Sequence, residues 1–369
     1  MEDMKEVVVV GGGKIGSMIA EMLAGCGDYA LTVADASAQA LERLETSAPV
    51  KKVAVDITDE VALNALMAGK FAVLSAAPFH LTVAIARAAK AAGAHYLDLT
   101  EDVASTRAVK ALAKDAKSAF VPQCGLAPGF ITIAAFDLAQ RFDELYDVRM
   151  GVGALPQFPS NALNYNLTWS TDGLINEYCE PCEAIVGGVR RETQPLEDRE
   201  EFALDGVLYE AFNTSGGLGT LCETLDGKVR NLSYRTIRYP GHAVFMRALL
   251  NDLRLRDRRE VLKDILENAL PATLQDVVIV FASVSGLRGG RLMQETYAQK
   301  IYGAHIGGRP RSAIQITTAA GICAVLDLLA EGKLPSTGFV RQEDVALADF
   351  LANRFGRRYA PAQVEHVAA

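Results

Sequence analysis

The chain has 369 residues, half of them hydrophobic, and a formal net charge of −8. That length leaves room for two domains, and the negative balance gives no electrostatic footprint for nucleic acid or an anionic membrane. No uninterrupted apolar run reaches the ~18–20 residues of a membrane span, and the acidic start (MEDMKE) leads into a core strand, not a signal peptide, so a soluble cytoplasmic protein is expected.

Residues 6–10 (EVVVV) are a β-branched run of the kind buried on both faces of a sheet. They enter Gly11-Gly12-Gly13-Lys14-Ile15-Gly16, a G-x-G-x-x-G turn, and then a helical pattern with Met18, Ile19, Met22 and Leu23 at three- and four-residue spacings. A second strand over 30–34 ends at Asp35. Gly11 allows a tight turn, Gly13 lets a pyrophosphate approach the backbone, and Gly16 allows close helix–strand packing. The N–H groups at the helix start, around Lys14 and Ile15, and the helix dipole favour the same anion. Asp35, about twenty residues beyond the last glycine, is placed for the ribose hydroxyls. A carboxylate there repels a 2′-phosphate, and Ala36, Ser37 and Ala38 supply no cation; the first base, Arg43, falls in the next helix. NAD is therefore predicted over NADP.

The alternation continues. A strand over 52–55 ends at Asp56 and is followed by a helix over 60–67. The next strand, 71–76, turns through Ala77-Pro78-Phe79-His80 into an alanine-rich helix reaching 92. Strand 95–99 precedes Thr100-Glu101-Asp102 and a helix to 117; strand 119–122 breaks at Gln123-Cys124-Gly125. This predicts an α/β Rossmann domain with a doubly wound parallel sheet. Ligands bind beyond the carboxyl ends of such strands. Asp56 then borders the adenine, while Ala76, Ala77, Pro78 and His80, the Asp98–Asp102 stretch and Cys124 surround the nicotinamide and substrate.

After residue 145 the pattern changes to strands at 146–153, 165–170, 236–238, 276–283 and 293–302, with helices at 244–253 and 260–270. An α+β domain with a largely antiparallel sheet is expected, covering one face of the nucleotide and offering a dimer surface. A long apolar helix over 312–332 and another over 344–355 should return to the nucleotide domain. The predicted domains are 1–130 with 312–369, and 131–311 for substrate binding and dimerisation. Six cysteines are scattered; Cys179 and Cys182 form a C-x-x-C without a second ligand pair, so thiols at a helix end are expected and no metal.

Oxidising an amine requires a hydride acceptor and a proton acceptor. His242, in Arg238-Tyr239-Pro240-Gly241-His242, follows a turn at a helix start that would keep it neutral, as a base requires; a surface histidine capping the helix fits equally. Asp98 and Glu101, with Asp102, make an acidic cluster suited to a cationic amine, or else a strand cap and a helix opening. Cys124 on the same rim is a candidate thiol or a small packing residue. The loop containing Asn213, Thr214 and Ser215 can cradle a carboxylate with its backbone N–H groups, helped by Arg235 or Arg238, of which one at most faces inward. Tyr165 and Trp169 are candidate pocket walls.

Taken together, HYLDLTED, the CGLAPG turn, GALPQFPSNALNYNLTWSTDGLINEY, LYEAFNTSGGLGTLCETL and RTIRYPGH resemble the saccharopine dehydrogenase-like family, and within it most closely the lysine 6-dehydrogenases. The resemblance spans nearly the whole chain. It implies a homodimeric or higher homo-oligomeric enzyme of lysine degradation that oxidises the ε-amino group of L-lysine with NAD. The products are ammonia and 2-aminoadipate 6-semialdehyde, which cyclises to piperideine-6-carboxylate. Glutamate-forming saccharopine reductases share the fold but usually take NADPH and carry an arginine where this chain has Asp35-Ala36. A saccharopine or carboxyalkyl-polyamine dehydrogenase is the nearest alternative, and a non-catalytic NAD-binding regulator the more distant one.

Overall fold

The computed structural model describes residues 4–360, and its backbone is arranged around two sheets. The first has seven parallel strands. Strands β1 (Lys5–Val10), β2 (Tyr29–Asp35), β3 (Lys51–Ala54), β4 (Ala72–Ser75), β5 (His95–Asp98) and β6 (Ala119–Val121) lie in the order 6-5-4-1-2-3, and the short strand Gly338–Phe339 adds beside β6. Val7 to Val10 are fully buried because helices cover both faces. Val7 and Val9 pack with Met18, Ile19 and Leu23 of helix Lys14–Ala24, and Val8 and Val10 with Ile85, Ala86 and Ala89 of helix Thr82–Ala92. The strand order reverses between β1 and β4, which opens a crevice at their carboxyl ends.

The second sheet comprises β7 (Glu144–Pro156), β8 (Cys182–Val186), β9 (Val189–Thr193), β10 (Glu200–Leu204), β11 (Val207–Asn213), β12 (Val229–Arg238), β13 (Asp276–Arg288) and β14 (Arg291–Tyr302). Its order is 10-11-12-7-13-14, with the β8–β9 hairpin attached to β12. Among the described residues only its β7–β12 pairing is parallel. Val148, Met150, Val152, Val278 and Val280 share one core with helices Phe130–Ala139 and Ala313–Ala330. The latter helix packs along Lys14–Ala24. It is long and apolar enough to cross a bilayer, but 89% of it is buried inside the protein. Asp276 of β13 receives the N–H groups of Ala313 and Ile314 at 2.5 and 3.0 Å, which fixes the start of this helix to the second sheet.

Three stretches differ from the sequence expectation. Residues 165–170 are not a strand: Asn161 takes the Tyr165 carbonyl, Pro271 takes the Leu167 N–H, and one bridge, Leu167 to Ala272, is all the ladder that remains. The stretch from Cys182 to Asn213 holds four strands, folded back by two-residue turns at Gly187-Gly188 and Asp205-Gly206, all four residues at positive φ. The helix expected over 344–355 is reduced to a 3₁₀ turn, Gln342–Asp344, and helix Leu347–Ala352.

Candidate active site

Beyond β1 the chain turns at Gly11, φ +103°, where a Cβ would lie 2.7 Å from the Ala76 carbonyl oxygen. A Cβ at Gly16 would meet the Gly11 carbonyl at 1.8 Å, so helix and strand close directly on one another. Gly13 is different. It is exposed, with nothing within 4 Å of an added Cβ, so the protein itself does not require a glycine there. The open space lies at the start of Lys14–Ala24, whose first turn carries no acid and whose N-cap makes no side-chain bond. This geometry fits a dinucleotide pyrophosphate. Asp35 accepts the N–H of Gly12 at 2.6 Å and of Ser37 at 2.7 Å, which holds its carboxylate at the end of β2 beside the turn. Asp56, exposed after β3, accepts the Thr58 hydroxyl and N–H, and these bonds lower its pKa.

Ile15, Ala76, Ala77 and Pro78 open onto a cavity of about 210 Å³ on the seam between the two domains. From the nucleotide side come Asp98, Thr100, Glu101 and Gly125; from the other come Val152 and Ala154 of β7, Tyr234, Thr236 and Arg238 of β12, and Asp172, Gly173 and Glu177 of helix Thr171–Cys179. Trp169, Ser215 and Gly217 also line it. A Cβ at Gly173 would lie 2.8 Å from Glu101 Oε1, and one at Gly216 2.4 Å from the Glu101 carbonyl oxygen. Glu101 is thus clasped by a helix and a loop of the opposite domain.

Burial raises the pKa of three carboxyls here. Asp98, 1% exposed, accepts the N–H groups of Gln123 and Thr100 on Oδ1 at 2.9 and 3.1 Å, while its buried Oδ2 has no partner. Burial outweighs those N–H groups and pushes its pKa up to about 6. Glu101 is half-buried on the cavity wall; burial, then the neighbouring charges of Glu177 and Asp102, push it up to about 8. Glu177 rises through burial to about 7, opposed by Arg238.

Arg238 is 3% exposed and heads a buried chain of hydrogen bonds. Nη2 donates to Glu177 Oε1 at 3.2 Å, Nη1 to the Ile237 carbonyl at 3.0 Å, and Nε to the Tyr178 hydroxyl at 3.0 Å. That hydroxyl lies 3.1 Å from His242 Nε2, and His242 Nδ1 lies 2.8 Å from the Leu163 carbonyl. A carbonyl only accepts, so Nδ1 carries the proton and Nε2 accepts from Tyr178. Burial, reinforced by the Arg238 charge, holds the imidazole pKa at about 3.

Several expected site residues do not reach the cavity. His242 is buried behind Tyr178 with both ring nitrogens engaged, so it is neither a surface cap nor in contact with the cavity. Cys124 donates its thiol to the Val121 carbonyl at 2.9 Å, and burial pushes its pKa well up. His80 is exposed, and Phe79 lines the cavity in its place. Tyr165 stands behind Trp169, accepting its indole N–H at 3.1 Å. Asn213 turns to Thr193 and Asp198, and Thr214 bonds Thr236; of that loop, Ser215 and Gly217 line the cavity. Arg235 faces the other side of the sheet, paired with Glu200 at 2.6 Å beside a separate cavity of about 300 Å³. Cys179 ends a helix and Cys182 begins β8.

Glu177, Tyr234 and Thr236 were not anticipated from the sequence. A signal existed for Glu177: it stands among Leu174, Ile175 and Tyr178 in a helix buried at nearly every position, where an acid needs a partner. The signal for Tyr234 and Thr236 is their two-residue spacing from Arg238.

Comparison with known proteins agrees with this architecture. A model described as the saccharopine dehydrogenase NADP binding domain matches residues 7–121, and one described as the saccharopine dehydrogenase C-terminal domain matches residues 125–357. The mitochondrial alpha-aminoadipic semialdehyde synthase of Bos taurus is 22% identical over 195 residues, which is 51% of this chain and 21% of that longer protein. The apo saccharopine dehydrogenase (L-Glu forming) of Saccharomyces cerevisiae has the same fold, with a TM-score of 0.76 at 15% identity over 96% of both chains. The chain belongs to the saccharopine dehydrogenase family.

Proposed function

We propose that this protein oxidises the ε-amino group of L-lysine with NAD, giving 2-aminoadipate 6-semialdehyde and ammonia. The observation that carries the reading is the acidic lining of the seam cavity, whose carboxyls ionise more readily with an ammonium beside them: Asp98, Glu101, Asp172 and Glu177 line it, with Arg238 as the one cation among its described lining residues. Lysine brings net positive charge. Saccharopine brings three carboxylates, and its additional ones would face these acids across a low-dielectric cavity.

Gly11, Gly13 and Gly16 with the helix start at Lys14 and Ile15 would hold the pyrophosphate, and Asp35 the adenosine ribose. The fixed carboxylate of Asp35 supports NAD, since a 2′-phosphate would meet its charge, and Arg43 lies in the last turn of the next helix. The bound nicotinamide supplies the hydride acceptor. Asp98 on the cavity wall receives the ε-ammonium and takes one of its protons; the ε C–H bond then breaks with its electron pair leaving as hydride, and the nitrogen lone pair closes the C=N bond. Water adds to the iminium and ammonia departs. His242 is outside this sequence because it does not reach the cavity.

The second reading, a dehydrogenase acting on saccharopine or a carboxyalkyl polyamine, is supported by the match in fold to the L-Glu forming enzyme. NADH formation with NAD and L-lysine, beside saccharopine, ornithine and NADP, decides between them. Turnover with lysine and NAD is expected; activity with saccharopine alone would transfer the reaction to that substrate, and NAD binding without any turnover would favour a regulator.

A further inference from the structure

We propose that the outer face of the second sheet holds an effector site for a small monocarboxylate with an aromatic body, in the cavity of about 300 Å³ beside Arg235. Its floor is the back of the strands that line the seam. Successive side chains of a strand point to opposite faces. Tyr234, Thr236 and Arg238 of β12 reach the seam cavity, while Ser233, Arg235 and Ile237 reach the outer one. On β7, Val152 and Ala154 line the first cavity, and Arg149 and Gly151 line the second.

Two rows of cross-strand neighbours give the outer cavity its chemistry. In one, Arg149 stands between Ser233 and Ser283, so its strand neighbours carry only short hydroxyl side chains. In the next, Gly151 separates Arg235 from Phe281 and leaves a hollow between cation and ring; Phe202 of β10 faces that ring at 6.1 Å. The acids on the lining are already engaged. Asp147 accepts Asn231 and Ser285 at 2.9 and 3.2 Å, while Glu200 pairs with Arg235 and Glu201 with Arg199, both at 2.6 Å. Arg149 has no ion-pair partner among the described residues, and the buried Nε of Arg235 has no acceptor. One unpaired positive charge suits one carboxylate. A phosphate dianion would bring a second negative charge to a lining that already holds three acids. The two phenylalanines suit an aromatic body.

An occupant there is coupled to the seam through β12. Arg235 and Arg238 hang from the same short segment of that strand. Arg238 lies 5.2 Å over the Tyr165 ring, and the Tyr165 hydroxyl accepts the Trp169 indole N–H at 3.1 Å. Trp169 is the single tryptophan of the chain and lines the seam cavity. Its fluorescence therefore reports the coupling whatever the substrate is.

Three probes test the site by calorimetric titration of the full chain: 3-phenylpropanoate, 3-phenylpropan-1-ol, which keeps the body and loses the charge, and inorganic phosphate. The acid should bind roughly thirtyfold tighter than the alcohol, the scale of a hydrogen bond to a charged group, and should shift the Trp169 emission. Arg149 is exposed, so Arg149→Met should fold as the wild type does. That variant should lose the preference for the acid and leave the affinity for the alcohol unchanged, and Arg149→Lys should restore part of the preference. Equal affinity for acid and alcohol in the wild type, acid binding indifferent to Arg149→Met, or phosphate binding tighter than the acid each overturns the proposal. Acid binding that leaves the Trp169 emission unchanged overturns it as an effector site. Acid affinity that falls as chain concentration rises, with sedimentation showing a larger species, would make the cavity a contact between two copies of the chain and overturn it as well.

Discussion

The nucleotide turn and the seam cavity are both binding surfaces, yet they are built in opposite ways. The turn uses a single stretch from Gly11 to Asp35, and its carboxylate is fixed by the N–H of Gly12 within that stretch. The cavity gathers Asp98 and Glu101, Glu177, Ser215 and Arg238 from four separate segments and two domains. In the turn the working groups are backbone N–H groups, set by local conformation. In the cavity they are side chains whose protonation depends on burial by distant elements. Local geometry can specify a phosphate site almost alone, whereas a site of tuned carboxyls exists only once the domains have closed around it.

The largest expected effect breaks the cavity and spares the turn. Asp98→Asn keeps the shape and an acceptor for Gln123 and Thr100 but removes the charge at Oδ2; kcat/KM for lysine should fall roughly a thousandfold, with NADH affinity, followed by fluorescence, unchanged. Breaking the turn instead requires its glycines to be separated. Gly16→Ala puts a Cβ into the Gly11 carbonyl and should cost about 3 kcal/mol in urea unfolding together with nucleotide binding. Gly13→Ala meets no protein atom, so stability should hold while NADH binding weakens; loss of stability there would mean that the open space serves the fold and not a ligand.

This contrast also explains what the sequence made legible. The glycine spacing, the valine run and Asp35 are short-range signals, and they located the parallel sheet and the turn. Residues 165–170 have strand composition, but the Leu167 N–H goes to the Pro271 carbonyl, a partner far along the chain that no local pattern reveals. The β8–β9 and β10–β11 hairpins did carry local signals, in Gly187-Gly188 and Asp205-Gly206. His242 attracted a catalytic role because it follows a turn at a helix start. What fixes its state is Tyr178, 64 residues away, and the Leu163 carbonyl, 79 away. Glu177 is the converse: its helix pattern marks it as a buried acid in need of a partner, but the partner, Arg238, is 61 residues away on β12.

Smaller effects sharpen the comparison. His242→Leu leaves the Tyr178 hydroxyl without its acceptor, and about 2 kcal/mol of stability should be lost. Because the histidine acts through Arg238, KM for lysine should rise more than kcat falls; a collapse of kcat at unchanged KM would return it to the chemistry. Asp35→Ala should weaken NAD about tenfold, one hydrogen-bonded carboxylate's worth, and narrow the preference over NADP. Unchanged NAD affinity would remove Asp35 from the ribose.

The pH dependence of stability tests the same distinction, at no more than about 1.4 kcal/mol per pH unit for each group. Asp98, Glu177 and Glu101 keep their protons in the folded state up to about pH 6, 7 and 8, whereas the unfolded chain releases them near pH 4. Above that lower value the native state binds the excess protons, so the cluster's contribution to stability declines as pH rises from about 4 to about 8, most steeply below 6 where all three groups act. His242 works in the other direction. The unfolded imidazole protonates below about 6.5, but the buried one resists down to about 3, so stability falls as pH falls across that interval. Melting temperature against pH for the ligand-free protein should therefore decline on both sides. Glu101→Gln should flatten the alkaline side alone and His242→Leu the acid side alone, while saturating lysine should weaken the alkaline decline by bringing positive charge to the carboxyls. An alkaline slope unaffected by both Glu101→Gln and lysine would show that Glu101 does not hold its proton in the folded state and that lysine brings no charge to the seam carboxyls.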